Sequence, residues 1–366
     1  MYILTLNAGS SSLKFAVFDA QKLVAVLRGQ VSNVGDGLIL SSGLHRLELP
    51  ADTILSKTLP LLLSWLSDQG YPAHQLSSIG HRIVHGGTEF TQPIVVDHSI
   101  LQKLDALRAL APLHLPFGLG MLRVMKELLP ELPNIACFDT AFHSTQGNFA
   151  TRLPLPRVYH DKGYRRYGFH GLNYEHVVRL LPSQMGQPLP YRLLAAHLGS
   201  GASMAAIVDG RSVATTMGFS TADGLVMGTR TGSLDPGVLI ALMRDENMGP
   251  SDLEDLLYRR SGLLGLSGIS ADMQVLLSSD RPEAAMAIDY YCYAAARYAG
   301  SLIVAMNGID GVVFTGGIGE NSSIIRDKIM AHLRWLNIGE DKVHVVRADE
   351  EATIARHAAG VLALNH

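Results

Sequence analysis

Cysteine is nearly absent from this 366-residue chain, which holds two: Cys137 in NIACFD and Cys292 in DYYCYAAARY. Both lie in apolar surroundings. That excludes a disulfide framework and a cysteine zinc site, and predicts buried free thiols of a reducing compartment. An excess of charge of one sign is lacking too. The 30 Lys and Arg against 33 Asp and Glu leave a net charge of −3, so no global basic field points to nucleic acid or an anionic membrane. No apolar run approaches about 18 residues, the length a membrane span needs. The first residues show no basic stretch followed by an apolar core, so no signal peptide is expected. Also missing are the G-x-x-x-x-G-K-[ST] loop, a G-x-G-x-x-G opening a helix after the first strand, and a G-x-S-x-G elbow. A nucleotide, if bound, is held by neither a P-loop nor a Rossmann fingerprint. The expectation is a cytoplasmic globular protein whose anion sites come from local clusters.

What is present is a large stock of core. Apolar residues make up 47% and charged ones 17%, too hydrophobic for disorder, and the length suggests about two domains at roughly 150 residues each. Short β-rich runs (YILTL, LKFAVF, SIGHRIVHGG, PNIACFD, RLLAAHLG, MAAIVDG, GVVFTGG) alternate with helical stretches, which implies an α/β architecture. Helices are predicted at 51–69, 97–113, 114–129, 251–260, 281–307 and 348–364. The one near 281–306 is apolar on most faces, as expected of a helix buried between layers.

An internal echo organises the rest. Shifted by about 190 positions, ILTLNAGSSSLKFAVFDAQKLVA falls on LLAAHLGSGASMAAIVDGRSVAT, so that Gly9 meets Gly199, Ser10 meets Ser200 and Asp19 meets Asp209. Each copy reads strand, Gly/Ser turn, strand, Asp-containing turn, strand. Two chance hairpins would share such turns, but agreement kept in register favours a duplicated domain, with the boundary between residues 140 and 190. A third glycine-rich turn, VVFTGGIGENSSIIR, follows a strand and leads into a helix. Three such turns together point to phosphate binding by backbone N–H groups and helix N-termini.

Basic and imidazole residues gather in short Gly-flanked segments: GHRIVHGG, LAPLHLP, RRYGFHG and MGTRTGSLDP. An Arg between glycines can be approached closely by a carboxylate or phosphate. A lone His is more often a satisfied, half-buried imidazole, so His81 and His85 are left out of the site. Asp139 ends the buried run NIACFD, where α/β folds place metal or catalytic groups. Glu350 and Glu351 open the last helix, where a plain role in complementing the helix dipole competes with a functional one.

These segments, with LTLNAGSSSLKF, CFDTAFH, AAHLGSGAS, SGLLGLSGISADM, FTGGIGENS and DEEATIAR, resemble the acetate kinase family in order and spacing over nearly the whole chain. The resemblance implies an α/β fold of two duplicated ribonuclease-H-like domains of the actin-like ATPase superfamily flanking a nucleotide cleft. It places one domain at 1–143 plus 350–366 and the other at 144–349. It implies Mg2+-dependent transfer of the ATP γ-phosphoryl group to acetate, with Mn2+ as a substitute metal, giving acetyl phosphate and ADP. It also implies a homodimer. The nearest alternatives are the same chemistry on propionate and a non-catalytic, actin-like ATP clamp.

Residue by residue, the resemblance makes Arg82, Asp139, Arg230, His170 and His114 the catalytic set, with Arg82 also binding the carboxylate. Val84, Leu113 and Phe169 match a pocket for the methyl group. Asn7 and Glu350 match residues that order the metal. The phosphates and nucleoside fall to Asn7, Ser10, Ser11, Ser12, Lys14, His197, Gly199, Ser200, Gly201, Asp272, Met273, Gly316, Gly317, Ile318, Gly319, Glu320 and Asn321. The chain departs from the family pattern at Ser200, where asparagine is usual, at Thr221 for proline, at Gln274 for arginine, at Ser233 for aspartate and at Leu115 for asparagine.

Overall fold

A computed structural model describes residues 1–9, 12–34, 37–49 and 57–364. It divides into two compact units. The first is Met1–Ala141, Gly171–His176 and Asp349–His366, and the second is Phe142–His170 and Val177–Ala348. The short segment Gly171–His176, expected with the second domain, packs with the first, because Leu172 joins a core there beside Ile3, Phe18 and Ile354.

The first unit carries strands β1 (Tyr2–Ala8), β2 (Ser12–Asp19), β3 (Ala25–Val34), β4 (Gly37–Ser42), β5 (His45–Glu48), β6 (Leu76–Ile83), β7 (Ile94–Val95) and β8 (Asn134–Phe138) in the order β5-β4-β3-β2-β1-β6-β8-β7. The second carries β9 (Arg192–Leu198), β10 (Ala202–Val208), β11 (Arg211–Thr215), β12 (Gly311–Thr315) and β13 (Val343–Val345) in the order β11-β10-β9-β12-β13. The arrangement β3-β2-β1-β6-β8 is repeated by β11-β10-β9-β12-β13: three antiparallel strands, then two parallel ones. This is the duplication that the echo of about 190 residues implied, with β4, β5 and β7 added to the first copy.

In β1 both faces are covered. Leu4, Leu6 and Ala8 point into a core with Leu62, Trp65, Met121 and Met125. Ile3 points the other way, toward Ile354, Ala355 and Ala358 of the last helix, Glu350–Leu364. The two-residue period of a strand therefore sends Thr5 and Asn7 to the side that this helix covers. Helix and sheet touch at backbone distance there: a Cβ on Gly80 of β6 would lie 2.4 Å from Ile354 Cγ2 and 3.3 Å from its carbonyl oxygen. Absence of a side chain at residue 80 thus sets the height at which Glu350 and Glu351 stand over β1.

In the second unit the helix Pro282–Met306 differs from its expected all-round burial. Its inward stripe is largely alanine (Ala284, Ala287, Ala295, Ala296, Ala299), while Tyr290, Tyr293 and Val304 are 47%, 50% and 80% exposed. Small residues let the helix approach the sheet with Tyr291 buried among them, and leave Tyr290 and Tyr293 outside. Cys137 and Cys292 are both free and buried. The expected helix at 97–113 is α-helical over His98–Ala106 and continues as a 3-10 turn. Of the stretch expected to be helical at 51–69, Thr58–Asp68 forms a helix and residues 51–56 lie outside the described residues. Among the described residues no helix is long and apolar enough to cross a membrane.

Gly80→Val should destabilise the protein by about 1–3 kcal/mol through overpacking against Ile354, read as a lowered urea midpoint. An unchanged midpoint would mean that the last helix yields freely.

Candidate active site

The first unit gathers its predicted polar residues around one guanidinium. Arg82, near the end of β6, donates from Nε and Nη2 to Asp139 Oδ2 at 2.9 and 2.5 Å. Its Nη1 donates to Asn7 Oδ1 at 3.1 Å. Asn7 Nδ2 in turn donates to Glu350 Oε2 and to Glu351 Oε1, both at 2.8 Å. Sequence neighbours fix each position. Asn7 is the last inward residue of β1, and Asp139 follows β8, beside β6 in a parallel pair.

The two roles open for Glu350 are divided between adjacent residues. Asp349 takes the capping role: its Oδ1 accepts the N–H of Ala352 at 2.9 Å, and it also forms a two-pronged ion pair with Arg28 of β3. That frees Glu350 and Glu351 to face Asn7. Sequence reasoning missed Arg28, Asp349 and the contact of Glu351. The triplet Asp349-Glu350-Glu351 was the one available signal, since three acids exceed what a cap requires.

Electrostatically the cluster is short of positive charge. Arg28 and Arg82 face Asp139, Asp349, Glu350 and Glu351. Burial pushes Asp139 up to about 6 against the pull of Arg82, and Glu350 adds to the push. The second carboxylate oxygen, Oδ1, is buried and accepts no hydrogen bond among the described residues. A partnerless buried carboxylate oxygen with two surplus negative charges nearby fits a cation. Among the described residues no three His, Cys, Asp or Glu side chains form a ready metal cage. Mg2+ does not need one, because it keeps several waters and takes one or two carboxylates plus substrate phosphates.

The second unit assembles a different set around the turn between β9 and β10. Gly199 N–H donates to Gly201 C=O at 3.0 Å, which closes the turn. A methyl group on Gly201 would lie 3.4 Å from His170 Nε2 and 3.7 Å from Arg230 Nη1. His170 has its other ring nitrogen 2.9 Å from Ser203 Oγ, and its ring stacks on His197 at 4.1 Å between centroids. Its backbone is left-handed, φ +60°, a conformation that costs a non-glycine residue on the order of 1–3 kcal/mol and that surrounding structure must hold. Arg230 is held from two sides. Its Nη1 donates to Thr221 C=O at 3.1 Å, and Gly262, at φ +65°, lets its backbone pass where a Cβ would lie 2.7 Å from Arg230 O. The Gly316 turn packs on the Gly199–Gly201 turn. Gly316 has φ +80°, and a Cβ there would meet Leu198 O at 2.7 Å, while one on Gly199 would lie 3.7 Å from Gly317 N.

Other predicted residues take more structural positions. Glu320 Oε1 accepts from Gly316 N and Ala348 N at 2.9 and 2.8 Å, and Asn321 Nδ2 donates to Gly317 O, so both brace the Gly316–Asn321 turn. Asp272 caps a short helix through Gln274 N, and Met273 is buried. Ser12 C=O accepts from Gly9 N at 2.8 Å, and the Lys14 side chain is exposed. Ser10 and Ser11 lie outside the described residues. His114 precedes the helix Leu115–Leu128, whose first residue is fully buried, so the apolar Leu115 serves the core. Val84 and Phe169 are buried and Leu113 is half-buried. His81 and His85, kept out of the site, are fully buried, and desolvation lowers both to about 4. Ser233, in place of aspartate, sits within hydrogen-bond reach of Asp223, which pairs with Arg166.

The acetokinase family profile matches residues 2–364. An acetate kinase of Rhodopseudomonas palustris is 45% identical, covering 93% of this chain and 88% of that one. One of Nitrobacter hamburgensis is 41% identical over 98% and 96% of the two chains. Among solved structures, a propionate kinase from Francisella tularensis superposes with a TM-score of 0.90 at 31% identity, over 98% of this chain and 99% of its own. Porphyromonas gingivalis acetate kinase does so at 0.88 and 31%, over 99% of each. With a family match over nearly its whole length, the chain belongs to the acetokinase family and is a phosphotransferase with a carboxyl acceptor.

Proposed function

We propose that the protein is an acetate kinase: it moves the γ-phosphoryl group of ATP to acetate and back by direct in-line attack, with no phosphorylated enzyme between. The observation that carries this reading is the approach of His170 Nε2 and Arg230 Nη1 to the bare backbone of Gly201, a place suited to the oxygens of a phosphoryl group in transit.

The chemistry needs such groups. Acetate and ATP are both anions, and two unit charges about 4 Å apart repel by roughly 4 kcal/mol at an effective dielectric of 20. Arg82 receives the acetate carboxylate, while Arg230 and His170 stabilise the charge of the moving phosphoryl, so that positioning and charge do most of the catalysis. Acetate is already ionised near neutral pH. Asp139 therefore orders Arg82 and takes no proton from the substrate. Val84, Leu113 and Phe169 offer apolar contact to the methyl group, and His114 lines the same site. The Gly199–Gly201 and Gly316–Asn321 turns, with Asp272 and Met273, hold the nucleotide.

Glu350 and the orphaned oxygen of Asp139 would hold Mg2+, which would supply positive charge against the transferring phosphates. Asn7 positions Glu350 and Glu351 through its amide nitrogen, its oxygen being taken by Arg82. A homodimer is supported by the helices Pro236–Asp245 and Pro250–Arg259, neither of which has a fully buried residue. Leu234, Val238, Ile240 and Met243 are all 42–62% exposed there. Sedimentation of the protein reads this directly. The cytoplasm is the compartment consistent with two free buried thiols.

The deciding experiment is ADP release at saturating MgATP with acetate, propionate, butyrate or no acid. Turnover should need the acid and be fastest with acetate. A rate independent of acid would instead mark a nucleotide clamp. Propionate as the best acceptor would align the protein with its Francisella tularensis neighbour. In-line transfer predicts inversion at a chiral γ-phosphorus, and retention would reveal a phosphoenzyme. Arg230→Ala should lower kcat by about 10^3-fold or more with an unchanged thermal midpoint. Arg230→Lys should recover only part of this, because the planar fork is lost. Full activity in Arg230→Ala would remove it from the site. The pH profile has a definite sign: a proton on Asp139 removes both the partner of Arg82 and a carboxylate that would hold the metal, so kcat/KM for acetate falls on the acid side. Asp139→Asn should lower the plateau and abolish that limb, and a limb that persists belongs to another group.

A further inference from the structure

The reading of His170 as the group that meets the moving phosphoryl leaves a question: what keeps a non-glycine residue left-handed at that point? We infer that His143 is the positioning residue for His170, acting through the peptide bond that joins Phe169 to His170.

His143 lies in the turn Ala141–Thr145 and is 2% exposed. Its Nε2 is 2.9 Å from Phe169 C=O, and its Nδ1 is 2.8 Å from Ser212 Oγ of β11. The partners decide the proton positions. A carbonyl can only accept, so Nε2 carries the hydrogen and donates. A neutral imidazole carries one ring hydrogen, so Nδ1 accepts from Ser212 Oγ, which itself accepts from Gln146 Nε2 at 3.1 Å. Burial lowers His143 to about 4, which keeps this neutral tautomer in place across ordinary pH.

The bond to Phe169 matters because a peptide unit is planar. Fixing the direction of the Phe169 carbonyl fixes the plane from which His170 departs, one of the two peptide planes between which its twist of +60° is set. The same histidine closes the other side. Gly168 has φ +80°, and a Cβ there would lie 2.7 Å from His143 Cδ2 and 2.6 Å from Thr215 Cγ2. The segment 168–170 is thus pressed onto His143 and can adopt one path. Ser203 and His197 then fix the imidazole ring itself. His143 has no charge to lend and acts only through shape and one donated hydrogen.

Two amide substitutions separate this role from general support of the fold. Glutamine can present an N–H where Nε2 stands, whereas asparagine reaches only as far as Nδ1. His143→Gln should keep kcat within about 3-fold of the parent, while His143→Asn should lower kcat by about 10–100-fold, the scale of a small misplacement of a catalytic group. In both, KM for ATP should stay the same. Equal kcat in the two variants, whether intact or lost, would overturn the proposal. Nitrogen-15 NMR of the resting protein should show His143 protonated at Nε2, and His143→Asn should shift the His170 ring resonances while the melting temperature of His143→Gln and His143→Asn agree. An Nδ1–H tautomer, or an unmoved His170 signal, would also overturn it. These spectra need no turnover, so they stand apart from the assignment of acetate as substrate.

Discussion

The ion pair between Arg82 and Asp139 is the constraint on which the first unit depends. The Asp139 side chain is 1% exposed and that of Arg82 19%, so neither charge can be left without the other. Removing one partner of a buried pair costs about 3–5 kcal/mol, because the survivor keeps its desolvation penalty. The pair is also incomplete by design of its surroundings: one oxygen of Asp139 has no partner among the described residues, and Glu350 and Glu351 add negative charge through Asn7. A cluster arranged this way holds Arg82 firmly in orientation while leaving unspent attraction for a cation. The orientation of Arg82 and a local surplus of negative charge are two consequences of the same four carboxylates.

Duplication explains why the second unit could evolve a different task on the same frame. Asn7 in β1 and His197 in β9 occupy equivalent places, each just before its Gly turn and opposite a residue of the returning strand, Lys14 in one case and Ser203 in the other. In the first copy that inward position meets the acidic start of the last helix. In the second it meets His170 as a flat stacking surface. One backbone geometry therefore presents a charge-ordering amide in one half and a stacked imidazole in the other. The side chains around each turn, and not the turn itself, decide which.

This division sets what could be read from the sequence. The paired Gly/Ser turns, the strand alternation and the repeated three-strand unit around each turn were legible because each depends on residues close together in the chain, whereas the parallel pairing of β6 and β12 with β1 and β9 joins distant residues. Gly9 and Gly199 mark turns that only short local signals need specify. Asn7 with Glu350 and Arg28 with Asp349 were harder, since the partners are 343 and 321 positions apart and no local pattern couples them. The triplet Asp349-Glu350-Glu351 looked like a helix start, and it is one. Only the height of the helix over Gly80 turns its second and third acids toward Asn7. The helix Pro282–Met306 misled for another reason: alanine and tyrosine both count as apolar, yet one stripe of alanines with Tyr291 packs inward while Tyr290 and Tyr293 face outward.

Histidine shows the same separation of charge from geometry. His81, His85 and His143 are all buried, and loss of solvent lowers each to about 4. A charged imidazole in any of these places would need a partner that the site could use better elsewhere. Held neutral, each can only donate or accept in a fixed direction, as His81 does with Asn134 and His143 with Phe169 and Ser212. Positive charge in the first unit's cluster then falls to Arg28 and Arg82, since a guanidinium stays protonated whatever the burial. These three histidines therefore fix direction, while the charge that orders Asp139 and Asp349 comes from arginine and does not fade as pH changes.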